Sequence, residues 1–221
     1  MSAELAAALA AREINLEPSQ IESLDQYRLA LWRWNEQINL TRHTTLEKFV
    51  GRDVVDSWEL AKLIPRGRRV LDVGSGGGVP GIVIAICRPD LRIALCESTQ
   101  KKARVLQALK DELPLPTEVF ACRAEELLAL RTYDTIVARA VAPLAKILTW
   151  FKPHWEAFDE LLLIKGKSWI DERGEARHRG LLKGLELRKA ASYPLPSSEG
   201  EPGESVILSV RKRSAGDEDE D

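Results

Sequence analysis

The run Val70-Leu71-Asp72-Val73-Gly74-Ser75-Gly76-Gly77-Gly78-Val79-Pro80-Gly81 places an acid just ahead of a glycine cluster. Glycines adopt positive φ and let a ligand come close to the backbone, so a loop of this kind suits a nucleoside. Two ligand classes compete for it. Gly76, Gly78 and Gly81 satisfy G-x-G-x-x-G, the dinucleotide spacing. Asp72 precedes Gly74, Gly76 and Gly78 as an acid two residues before G-x-G-x-G. A dinucleotide brings a pyrophosphate, which requires bare N–H groups at a helix N-terminus. A carboxylate at the strand end opposes it. S-adenosylmethionine has no phosphate; it carries a sulfonium and an α-ammonium, which tolerate or use that acid. Asp72 therefore favours the methyl donor. Glu97 lies 19 residues after Gly78, close to the ~20 expected of a ribose-binding carboxylate.

These residues need a strand, a turn and a helix to hold them. Val70, Leu71 and Val73 read as a buried strand, and Pro80 suits the first turn of the helix that opens with Ile82. Residues 1–64 are patterned as helix, with Ile21, Leu24, Tyr27, Leu31, Trp34 and Ile38 in one amphipathic stripe. Trp32 and Trp34 read as packing residues rather than base-stacking ones. From Arg69 the pattern predicts strands at 69–73, 91–96, 117–121, 134–138, 159–164, about 185–193 and 204–211. Helices are predicted at 81–87, 99–112, 123–130 and 143–155. Such alternation predicts an α/β fold with a doubly wound parallel sheet, the last two strands closing as an antiparallel hairpin. The expected division is a helical extension at 1–64, a sheet domain at 65–213 and an acidic, disordered tail at 214–221.

Composition narrows the function classes. The chain has 221 residues and a formal net charge of −2. Five acids, Asp217–Asp221, end it; without them 32 basic residues face 29 acidic ones, a mildly basic body compatible with RNA. Cys87, Cys96 and Cys122 have no metal spacing, and buried thiols in a reducing compartment are expected. There is no apolar run near the ~18 residues of a membrane span and no basic leader at Met1–Arg12. A cytoplasmic protein is expected.

Ligands of open α/β sheets sit at the carboxyl ends of the strands. Those ends carry the glycine loop, then Glu97-Ser98, Arg123-Ala124-Glu125, Arg139-Ala140 and Lys165-Gly166-Lys167. The set is polar and largely basic, as a cofactor beside an anionic polymer requires. Structural ion pairing is the competing explanation for Arg123 and Arg139.

Several short motifs in order resemble the bacterial RsmG family, once called glucose-inhibited division protein B. They are residues 38–58 (Ile38 through Trp58), Leu71–Gly81 with its Val-Pro-Gly ending, Ser98 through Lys102, Cys122–Glu125, Arg139-Ala140-Val141-Ala142 and Lys165-Gly166. The resemblance covers roughly residues 20–210, and a shared order of motifs is more specific than any one of them. It implies a class I S-adenosylmethionine-dependent methyltransferase, a Rossmann-like doubly wound sheet with an N-terminal helical extension. The implied reaction is methylation of N7 of a guanine in 16S ribosomal RNA. By motif, Gly74 and Val79 line the cofactor site, Ala124-Glu125 lie near the adenine, and Arg139 is a cofactor-site position. With the residues read directly, the expected cofactor set is Asp72, Gly74, Ser75, Gly76, Gly78, Val79, Glu97, Ser98, Ala124, Glu125 and Arg139. Many family members have Arg-His where this chain has Arg52-Asp53, so Asp53 removes a possible cation from an RNA contact. Glu97 stands where the family often has Asp, and keeps the carboxylate.

Guanine N7 has an in-plane lone pair and no proton, so methyl transfer to it needs alignment and desolvation rather than a general base. His43, His154 and His178 form no visible constellation, and none of the cysteines follows a proline as in cytosine-C5 enzymes. Where N6-adenine or N4-cytosine enzymes carry an Asn/Asp-Pro-Pro-aromatic run, this chain reads Ala138-Arg139-Ala140-Val141. Arg139 and Lys165 are expected to position the guanine or its phosphate. Arg42, Arg52, Lys101, Arg104, Arg123 and Lys165 are the expected RNA contacts. Arg139→Ala is expected to cut methyl transfer without unfolding the protein. The small ribosomal subunit is the expected partner, for a monomeric enzyme with no metal. Rival readings are a methyltransferase of another RNA or a small molecule, a non-catalytic RNA-binding protein, and an NAD-dependent oxidoreductase, which lacks a Tyr-x-x-x-Lys or His-based site.

Overall fold

The computed structural model describes residues 2–195 and 203–213. Residues 196–202, between the last two strands, and the acidic segment 214–221 lie outside the described residues. Strand β1 (Arg69–Val73) enters the glycine loop, and helix α5 (Gly81–Cys87) leaves it. The remaining parallel strands are β2 (Arg92–Cys96), β3 (Glu118–Phe120), β4 (Thr135–Arg139) and β5 (Glu160–Lys165). A hairpin of β6 (Leu185–Leu195) and β7 (Gly203–Lys212) completes a seven-stranded sheet of order β3-β2-β1-β4-β5-β7-β6. β7 runs antiparallel to both β5 and β6. The order reverses between β1 and β4, which is where an open α/β sheet leaves a crevice.

Alternation along the strands divides the core between the two faces. Val70, Ile93, Leu95, Val137, Leu162 and Ile164 point to one face, where they join Leu24, Tyr27, Leu31, Phe49 and Leu60 of the N-terminal helices in one continuous cluster. Leu71, Cys96, Ile136, Ala138, Leu161 and Leu163 point to the other, against Leu144, Leu148 and Phe151. The first face is covered by α1 (Ala3–Ala10), α2 (Pro18–Asn35), the single turn α3 (Leu46–Lys48) and α4 (Val55–Lys62). The α2 stripe is buried as its spacing predicts: Leu24, Tyr27 and Leu31 are inaccessible, and Ile21, Trp34 and Ile38 pack at the margin. Trp32 sits edge-on to Phe49, a packing role. Tyr27 also donates its hydroxyl to the Gly77 carbonyl at 2.9 Å, tying the helical layer to the glycine loop.

Three elements depart from the sequence expectation. Residues Phe49–Val54 between α3 and α4 form a π-helix, whose extra residue per turn shifts the side chains that follow. The helix expected at 143–155 ends at Phe151 (α8, Leu144–Phe151) and continues as a 3-10 turn over Lys152–Ala157, because Pro153 cannot carry on the α ladder. An unpredicted helix, α9, spans Trp169–His178. It escaped periodicity because charges lie nearly all around it, Gly174 interrupts it, and only Ala176 is fully buried. The other helices, α6 (Gln100–Glu112) and α7 (Ala124–Leu128), follow β2 and β3 as expected, α7 being shorter. Of the cysteines, Cys87 and Cys96 are buried and Cys122 is partly so, all three as free thiols. No described helix is long and apolar enough to cross a membrane.

Candidate functional site

The glycine loop is held from both ends. Gly74 and Ser75 donate backbone N–H groups to the Cys96 carbonyl, at 2.8 and 3.2 Å, so the loop continues the pairing of β1 with β2. The Ser75 hydroxyl donates to the Asp72 carbonyl and accepts from the Cys96 N–H. Gly78 donates to the Ser75 carbonyl at 2.7 Å and closes the turn. At Gly74 φ is +69°, and a Cβ there would come within 2.7 Å of Val141. The glycine is thus required both by its backbone and by the approach of the loop after β4.

Glu97 is buried at the end of β2 with both oxygens anchored. One accepts from the Gly76 N–H at 3.0 Å and the other from the Thr99 N–H at 2.7 Å. Each oxygen keeps a further lone pair, so the carboxylate is fixed in place and still able to accept two hydroxyl donors. Asp72 lies on the opposite side of β1, wholly buried. Its Oδ2 accepts from the Gly81 N–H at 3.0 Å, while Oδ1 has no partner. Burial pushes this carboxyl up to about 7, against the Gly81 hydrogen bond that favours its charged form. An orphaned buried oxygen on the strand that feeds the loop fits a cationic ligand group.

Beside the loop lies a small cavity of about 90 Å³, lined by Gly74, Ser98, Arg123, Ala124, Glu125, Val141 and Trp150 among others. It joins residues from the ends of β1, β2, β3 and β4. Of the expected cofactor set, Gly74, Ser98, Ala124 and Glu125 meet here, with Glu97 alongside through its bond to Gly76. Arg123, expected as an RNA contact, lines this same cavity. Val79 does not line it; its side chain packs against the helical layer.

A larger cavity of about 730 Å³ opens at the ends of β4 and β5, with Arg52, Arg139 and Lys165 in its wall. The two cations expected to position substrate are both bound within the protein. Arg139 donates to Asp53 at 2.7 Å and to Asp56 at 3.1 Å, both carboxylates being buried. Burial opposes the guanidinium charge, but the two aspartates outweigh it and hold its pKa above the usual value. Asp53 also accepts from His43 Nδ1 at 2.7 Å, and Asp56 from the Tyr193 hydroxyl at 2.8 Å. Lys165 donates to the Ala142 carbonyl and to Glu172, each at 2.7 Å. Burial alone would raise the Glu172 carboxyl; the bonds from Lys165 and the Leu144 N–H hold it below its ordinary range. Ala140, between the two cavities, sits at φ +54°, strained for a residue with a side chain.

Sequence reasoning had no signal for this network. His43, Asp53, Asp56 and Tyr193 come to Arg139 from distant parts of the chain, and Asp53 turns inward to Arg139 instead of subtracting from an RNA surface. Arg42, Lys101 and Arg104 line neither cavity. Another cavity, of about 840 Å³, lies where β1 and β2 begin, lined by Arg69 and Arg92. It is at the wrong end of the strands for a sheet of this type.

Residues 20–194 match the protein family described as GidB: rRNA small subunit methyltransferase G. A protein of Rhodopirellula baltica named ribosomal RNA small subunit methyltransferase G is 51% identical, over 98% of this chain and 100% of that one. One of the same name from Nitrosococcus oceani is 34% identical over 92% of each chain. Among solved structures, an O-methyltransferase from Bacillus cereus in complex with SAH superposes with a TM-score of 0.59, at 16% identity, covering 92% of this chain and 95% of that one. At that identity the likeness shows the fold alone.

Arg139→Ala leaves two buried carboxylates without their cation, so in place of the folded, inactive protein expected from sequence it should lose about 3–5 kcal/mol of stability in urea titration. Arg139→Lys should retain most of it. Asp72 has a folded pKa raised to about 7, so the native state keeps a proton that the unfolded chain releases near 3.9. Its contribution to stability is therefore greatest at low pH and is lost as pH rises through that window. Asp72→Asn should flatten the decline and be more stable than the parent at pH 8, on the order of 2–4 kcal/mol.

Proposed function

The chain belongs to the rRNA small subunit methyltransferase G family, and from that premise we propose that its acceptor is N7 of one guanine in 16S ribosomal RNA. It is an S-adenosylmethionine-dependent methyltransferase of small-subunit ribosomal RNA. The observation that carries the finer reading is a pair of unlike cavities flanking Ala140-Val141. One is small and lined by Gly74 and Val141; the other is wide, at the ends of β4 and β5, and lined by Arg52, Arg139 and Lys165 together with Asp56, Glu172 and Glu204.

The residues fit the cofactor. Glu97 would hold the ribose hydroxyls with its anchored carboxylate, and Ser98, Ala124 and Glu125 would border the adenine. The backbone of Gly74–Gly78 would lie along the nucleoside, and buried Asp72, on the same strand, would ionise beside a cationic group of the ligand. When bound, the cofactor supplies an electrophilic methyl group.

The wide cavity orients the acceptor. Arg139 cannot serve as a base, since Asp53 and Asp56 keep it charged; its remaining N–H groups can donate to guanine O6 or a phosphate. Lys165 adds a second fixed charge on the same wall. The pairing of these cations with Asp53, Asp56 and Glu172 holds their positions before RNA arrives, which lowers the ordering cost of binding. N7 carries no proton, so no side chain has to remove one; the protein's work is alignment and exclusion of water. Val141, packed against Gly74, and its neighbour Ala140 would stand between the two cavities and set the approach line of the acceptor. The protein acts in the cytoplasm, where its RNA is, as a monomer.

The protein should be incubated with labelled S-adenosylmethionine and unmethylated small ribosomal subunits, beside deproteinised 16S RNA, and the RNA digested to nucleosides. Label in 7-methylguanosine is expected. Label in any other nucleoside would move the acceptor atom while leaving the family assignment in place.

A further inference from the structure

Many cations on this surface stand beside an acid. Arg33 pairs with Glu112, Lys62 with Glu59, Arg69 with Asp134, Arg131 with Glu118 and Arg211 with Glu160. One concave region differs. A groove of about 610 Å³ between α9, the 179–184 turn and the end of β7 is lined by Arg173, Arg177, Lys183 and Arg213, with no carboxylate among the described residues of its wall. Arg173 stacks over Trp169. Arg177, Lys183 and Arg213 are exposed and make no ion pair with a described residue. Cations in the last turn of a helix complement its dipole, which accounts for Arg177 on α9 but not for Lys183 or Arg213, which come from other elements.

The groove is not part of the cofactor crevice. Lys165, in the crevice wall, pairs with Val206 of β7, and the antiparallel strand then runs back to Lys212, opposite Leu185 at the start of β6. Arg213 is seven residues beyond Val206, roughly 23 Å along the strand. An A-form RNA helix, which rises less per base pair than the ~3.4 Å of B-DNA, covers that distance in somewhat more than ~7 base pairs. A polyanion of regular charge spacing, already required by the reaction, can therefore occupy both places at once.

We propose that this groove is a second RNA contact, holding the phosphodiester backbone of a helix of the substrate RNA at the end of the sheet opposite the crevice. The inference rests on the ribosomal RNA reading above and extends it: the enzyme measures a span of RNA structure, not only the nucleotide it modifies. Uncompensated charge is what a phosphate backbone recognises, and arginine and lysine that are not spent on internal pairs are free to displace its counterions.

The test uses the full chain carrying Arg177→Ala, Lys183→Ala and Arg213→Ala together, beside a charge-keeping variant with Arg177→Lys and Arg213→Lys. S-adenosylhomocysteine titration checks that both fold with an intact crevice. Binding to 16S RNA is followed by fluorescence anisotropy across a salt series, and methyl transfer by label incorporation. The alanine variant should raise KM for 16S RNA about tenfold with kcat unchanged, and its salt dependence should be shallower by about 0.9 for each phosphate it no longer neutralises. The lysine variant should behave as the parent, and a short oligonucleotide bearing the guanine alone should not distinguish the three proteins. Equal affinity and equal salt slope for parent and alanine variant would overturn the proposal. So would a loss that disappears once Asp217–Asp221 are deleted, since the groove would then serve the chain's own acids. A parent that binds RNA through the groove but transfers no methyl group would instead contradict the proposed function, a separate result.

Discussion

Asp53 is closed to water, and its Oδ1 receives two donors from different parts of the chain, His43 and Arg139. Asp56, one helical turn on, takes the other arm of the same guanidinium and the hydroxyl of Tyr193. Two carboxylates and one arginine removed from solvent are costly unless every partner stays in place. The cluster therefore constrains what surrounds it. It locks the π-helix and α4 over the end of β4, draws in β6 through Tyr193, and sets Arg139 where the wide cavity begins. Little of this helps the protein to be stable, since an apolar packing of the same volume would serve as well. What it provides is position: a cation held in one place beside the crevice.

The narrow side of the crevice follows a second constraint, backbone proximity. Gly74 is bare because Val141 comes to it, and Val141 is there because β4 ends in the strained turn at Ala140. The loops after β1 and β4 thus fix each other across the point where the sheet order reverses. Glu97, anchored by Gly76 and Thr99, links β2 to the same loop. Val141 lines the small cavity and its neighbour Ala140 the wide one, so a change in packing at either would be felt in both. The Tyr27 bond to Gly77 carries the constraint into the helical layer, whose buried side chains join those of the sheet in one cluster.

The strands and the first βα unit were legible because their signals are local. Val70–Val73 is a short apolar run stopped by glycine, and the helix after it begins at a proline; the observed bounds of β1 and α5 are those expected. Glu97 was legible for the same reason, as an acid at the end of an apolar run at a known distance from the loop. Arg139 was found by position, with ion pairing as the competing explanation, but its partners were not. Its partners lie 83 and 86 residues away, and ion pairs over such separations leave no pattern in the sequence. His43 was passed over for that reason too. The π-helix that brings Asp53 and Asp56 into register has no distinctive composition, and α9, nearly uniform in charge, shows no apolar face to read.

If the buried aspartates couple the helical layer to the end of β4, breaking one of them should loosen both sides together. Amide hydrogen exchange on the parent and on Asp53→Asn, with S-adenosylhomocysteine absent, reads this out, since exchange reports local opening segment by segment. Residues 49–62 and 139–142 should lose protection together, while β1 and β2 keep theirs. Loss of protection in 49–62 alone, with 139–142 unchanged, would contradict that coupling.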